Sequence, residues 1–137
     1  MSVVRCFRAS AVCLAAVGLV ALAGCGGSGK PAYCSDRSSL ESSIKGLTSL
    51  NPRSGISGLE TQLKTVQSDA SKLVSSAKSD FPAQTGAIKS SVAALESAVK
   101  ALPSHPSATQ LGGVATAAAS VVSSVKIFMD ATSSNCS

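Results

Sequence analysis

Residues 56–77 read Ile-Ser-Gly-Leu-Glu-Thr-Gln-Leu-Lys-Thr-Val-Gln-Ser-Asp-Ala-Ser-Lys-Leu-Val-Ser-Ser-Ala, and their spacing decides the fold class. Ile56, Leu59, Leu63, Val66, Ala70, Leu73 and Ala77 recur at alternating steps of three and four, which places them on one face of an α-helix. Sustained alternation of this kind predicts knobs-into-holes packing, with helix axes crossing near +20°. The predicted helix runs from about Gly58 to Ser79, with Ser57 and Glu60 spaced as a capping box.

Working outward from it, the same alternation recurs in three other segments. Leu40, Ile44 and Leu47 mark a helix from about Ser38 to Leu50, with Ser38 and Glu41 as its capping box. Ile88, Val92, Leu95, Val99 and Leu102 mark a third, and Pro82 suits its first turn. Leu111, Val114, Ala118, Val121, Val125 and Phe128 mark a fourth, opened by the Ser107/Gln110 box and ending near Ser134. Asn51-Pro52-Arg53-Ser54-Gly55, Asp80-Phe81-Pro82 and Pro103-Ser104-His105-Pro106 are the breaks between them. No segment alternates β-branched and polar residues in the manner of a strand. The expected fold is all-α, an up-and-down four-helix bundle with heptad-like packing.

The amino-terminal quarter is different. Arg5 and Arg8 precede an apolar run from Ala9 to Ala23, and small residues follow, the pattern of a secretory signal. The run is 15 residues long, against the roughly 20 that a bilayer core requires. Leu22-Ala23-Gly24-Cys25 resembles the lipobox of bacterial lipoproteins. That resemblance implies lipidation of Cys25, cleavage just before it, and anchorage at the outer face of a bacterial cell membrane. The chain then divides into a cleaved signal (1–24), a lipidated Gly/Ser/Pro tether (25–33) and a helical bundle domain (34–137). The composition and layout of that last part resemble small secreted helical lipoproteins of actinobacteria, which implies no assigned activity.

Five cysteines sort themselves on this scheme. Cys6 and Cys13 leave with the signal and Cys25 carries lipid, so Cys34 and Cys136 remain as an even pair in an oxidising compartment. A disulfide between them also fixes the helix count. An even number of antiparallel helices returns the chain to its starting end, whereas an odd number separates the termini by a helix length, about 30 Å for 20 residues. Bridged Cα atoms must lie within about 7 Å. Four helices satisfy that requirement and three do not. Zinc is not expected, because these two thiols and His105, the sole histidine, do not make a ligand set.

Composition narrows the function. The chain lacks Trp, and Tyr33, Phe81 and Phe128 are the aromatics beyond the signal, so an aromatic-walled ligand pocket is not expected. The net charge of +5 falls to +3 once Arg5 and Arg8 are gone, with no basic cluster for nucleic acid. Most charges read as solvated helix pairs: Glu41–Lys45, Glu60–Lys64 and Glu96–Lys100 at i,i+4, and Asp69–Lys72 at i,i+3. Asp36, Asp80 and Asp130 are left as a poor basis for acid–base catalysis. Serines are abundant, but His105 is the only candidate base and no Gly-x-Ser-x-Gly elbow occurs. Gly26-Gly27-Ser28-Gly29-Lys30 lacks the spacing of a phosphate loop, and Asn135-Cys136-Ser137 is discounted as a glycosylation site in a bacterial lipoprotein.

No enzyme and no cofactor are expected. The reading is a membrane-anchored structural or interaction module of the cell envelope, meeting an envelope protein or polymer. The alternative is a carrier or sensor that opens for a small apolar ligand, against which Ala70, Ala77 and Ala118 argue by drawing the helices close. Loops held by a rigid scaffold are where binding residues tend to sit. Arg53 and His105, expected at the membrane-distal pole, are therefore the candidate partner contacts.

Overall fold

The computed structural model describes residues 29–50 and 54–137. Cys25 and Arg53 lie outside the described residues. Four helices follow in order: α1 (Ala32–Thr48), α2 (Gly55–Ala77), α3 (Pro82–Lys100) and α4 (Ala108–Thr132). Among the described residues no strand occurs. Each helix packs on its sequence neighbours, and α4 returns to α1, which closes an up-and-down four-helix bundle. The α1–α2 and α3–α4 pairs lie closest, so the bundle is two tight hairpins with looser seams between them. Cys34 and Cys136 are bonded with their Cα atoms 5.5 Å apart, as the even helix count requires.

The expected stripes form the core: Leu40, Ile44 and Leu47 from α1, Leu63 to Ala77 from α2, Ile88 to Val99 from α3, and Val114 to Phe128 from α4 are buried. Ile56, Leu59 and Leu102 are only half-buried, and the exposed exception is Leu111. It continues the α4 spacing yet stands 46% exposed, because it faces the distal end of the α1–α4 seam, where the helices part.

Two of the three capping boxes are not formed. Helix α1 starts at Ala32, six residues before Ser38, so Ser38 lies inside the helix and donates to the Cys34 carbonyl at 3.3 Å. The expected tether over 25–33 therefore gives way to helix at Ala32, and Tyr33 belongs to the core. Helix α2 starts at Gly55, which takes φ +61° and turns the chain into the helix, so Ser57 is likewise internal. The Ser107/Gln110 box does form: the Gln110 N–H donates to Ser107 Oγ at 3.3 Å, and the Ser107 N–H donates to Gln110 Oε1 at 2.8 Å.

Inside the first hairpin, polar side chains lace α1 to α2. The Ser43 hydroxyl donates to Asp69, the Gln62 amide donates to the Ser43 carbonyl at 2.9 Å, and the Ser76 hydroxyl donates to Asp36 at 2.7 Å. Asp36, left unpaired by the sequence spacing, lies inside α1 and accepts this bond. On the surface, Glu41–Lys45, Asp69–Lys72, Glu96–Lys100 and Lys126–Asp130 pair along their helices. Glu60 and Lys64, expected to pair, make no ion pair; both are exposed and solvated.

Candidate interaction surface

Two regions stand out from the regular packing: one pole of the bundle, and one flank. The pole gathers the ends of all four helices around Cys34–Cys136. Tyr33, Phe81 and Phe128 meet there edge to face, with ring centroids 5.5 Å apart for Tyr33–Phe81, 6.1 Å for Tyr33–Phe128 and 5.5 Å for Phe81–Phe128. Such edge contacts are each worth about 0.5–1.5 kcal/mol beyond the area they bury. Arg37 Nη1 crosses from α1 to donate to Thr132 Oγ1 at 2.8 Å and to the Met129 carbonyl at 3.3 Å. Asn135 Nδ2 donates to the Tyr33 hydroxyl at 3.2 Å, and Lys30 Nζ to the Cys136 carbonyl at 3.3 Å. Here the polar groups satisfy one another, so the pole reads as a fastening.

The flank is the seam between α1 and α4. Two hollows run along it, of about 560 and 500 Å³, and they share Thr48 and Val122. The half nearer the fastened pole has Ile44, Val125 and Met129 as its floor, with the Glu41–Lys45 and Lys126–Asp130 pairs on its rims. The distal half is lined by Leu47, Leu59, Leu111, Val114 and alanines of α4, without a charged side chain. Leu111 and Val122 remain 46% and 42% exposed along this groove. Helix α4 is also more apolar than its buried stripe requires. By length and composition it could cross a membrane, yet only 28% of its most apolar 18-residue window is buried in the bundle. Apolar surface of that kind, bordered by charge, commonly marks an interaction site.

The α2–α3 seam holds a shallower, more polar hollow between Gln67, Ser71, Lys89 and Glu96. The hydrogen bond and charge of Lys100 hold the Glu96 carboxyl below its ordinary pKa. His105 is exposed in the loop between α3 and α4, at the pole opposite the disulfide, where α1 ends and α2 begins. The groove was missed in the sequence because periodicity shows which face of a helix is apolar, but not which seam stays open. Searches of protein-family models, curated proteins and solved structures find no match to this chain, so its site is defined by its own geometry.

Proposed function

We propose that this chain is an extracytoplasmic lipoprotein, held at the outer face of a bacterial membrane through Cys25, whose bundle serves as an interaction module of the cell envelope. The observation that carries this reading is the α1–α4 groove, an aliphatic floor left uncovered beside Leu111 and Val122. An envelope protein suits it best, since apolar side chains can complete the packing that α1 and α4 leave open. His105, in the loop between α3 and α4, and Arg53, which precedes α2 in the sequence, remain the alternative contacts. Crosslinking in the native envelope separates the two. Val122→Asp and Leu111→Asp should abolish capture of the partner, while Arg53→Ala with His105→Ala should leave it intact. The reverse pattern would move the binding surface to those two residues.

Anchorage has its own test. Leu22-Ala23-Gly24-Cys25 supplies both thiol and cut site, so Cys25→Ser should leave an uncut precursor or release the protein from the membrane fraction. Recovery of a cut, fully membrane-bound Cys25→Ser protein would sink the lipid-anchor reading. The second reading, a carrier or sensor of a small apolar ligand, is favoured by the same groove. Its hollows fall within the roughly 300–1,000 Å³ of small-molecule sites. Saturable binding of a fluorescent fatty acid, lost in Val122→Asp, would support it over a protein partner.

A further inference from the structure

The fastenings between the two hairpins are unevenly distributed. The covalent crossings are the Cys34–Cys136 bond and the Lys78–Phe81 turn, and both lie at one pole. The aromatic triad lies there too, with Arg37 on Thr132 and Asn135 on Tyr33. At the other pole α1 ends and α2 begins, as α3 ends and α4 begins, so each hairpin is continuous within itself there. Among the described residues, the hydrogen bonds between hairpins all lie at the fastened pole. Beyond it the hairpins meet through aliphatic side chains such as Leu47, Leu59 and Val114, and the α1–α4 hollow already opens there.

We infer that the bundle is a clamp: the α1–α2 and α3–α4 hairpins move as stiff pairs about the pole holding Cys34–Cys136, and part at the opposite pole. Each hairpin is stiff because its two helices pack most closely with each other, and Ser43–Asp69, Gln62–Ser43 and Ser76–Asp36 lace the first. The far contacts are non-directional and can be given up together, whereas the near ones combine a covalent bond, ring edges and hydrogen bonds. Regions held by few directional contacts open first, and they do so as cooperative units. This inference concerns the motion alone and holds whichever partner or ligand the groove takes.

Hydrogen exchange on the intact protein tests it. Parted hairpins lose the burial that sustains their helices, so amides in the distal halves of all four should then exchange as one group, about tenfold or more faster than amides beside the fastened pole. Four unrelated distal rates, or equal rates at the two poles, would overturn the clamp. A staple provides the second measurement. Thr48 and Ala119 line the same distal hollow from α1 and α4. Joining Thr48→Cys to Ala119→Cys with a short bifunctional thiol reagent should slow distal exchange about tenfold in α2 and α3 as well, although neither carries the staple. Protection confined to α1 and α4 would mean that the helices fray singly, and the hinge would be rejected.

Discussion

Phe128→Ala should destabilise the bundle by about 3–5 kcal/mol, the usual range for deleting a fully buried phenylalanine. Phe128 has no exposed surface, and its ring is the shared partner of Tyr33 and Phe81. Truncation removes two ring contacts at once and leaves a void where the four helix ends converge. In a domain of this size the loss corresponds to a fall in Tm of roughly 15 °C or more. The adjacent Ile127 is the control: it is 57% exposed, and Ile127→Ala should stay within about 0.5 kcal/mol of the parent. Urea titrations of the two variants check the pair. Similar losses in both would contradict the inward placement of Phe128.

Replacing Cys34 and Cys136 together by serine should lower stability by roughly 2–5 kcal/mol, most of it through the unfolded chain. The bond joins residues separated by 102 positions, and chain entropy assigns so long a loop roughly 4–5 kcal/mol. Helicity should survive, because Arg37, Tyr33 and Asn135 still tie α1 to the end of α4. The checks are the urea midpoint and the far-ultraviolet circular dichroism of the variant. An unchanged midpoint would mean that the pole is held by its rings and hydrogen bonds alone.

How far the fold could be read in advance is clearest at α1. The seam spacing continues upstream from Leu47, Ile44 and Leu40 to positions 37 and 33. Position 37 is arginine, a charged residue on an apolar stripe, and periodicity alone stops there. Its partner is Thr132, which sits on the α4 stripe four residues after Phe128 and is equally polar. Each residue breaks its own pattern; together they satisfy a pair across a seam, which no single-helix reading can detect. The disulfide was legible because cysteine parity and helix parity impose the same topology. The groove was not, since its width depends on how side chains of two helices far apart in the sequence fill the space between them.

The ring cluster has a further consequence, an optical one. The chain contains one tyrosine and no tryptophan, so Tyr33 is the only phenolic chromophore and its spectrum is free of indole bands. It lies against Phe81 and Phe128, and its neighbour in the chain, Cys34, forms the disulfide. Near-ultraviolet circular dichroism reports fixed side-chain packing. Among the described residues every aromatic ring and the disulfide lie at one end, so a change in their packing at that end alone moves this band. A near-ultraviolet signal that holds steady while distal amides exchange would identify the exchange as local, in one cuvette and without a label.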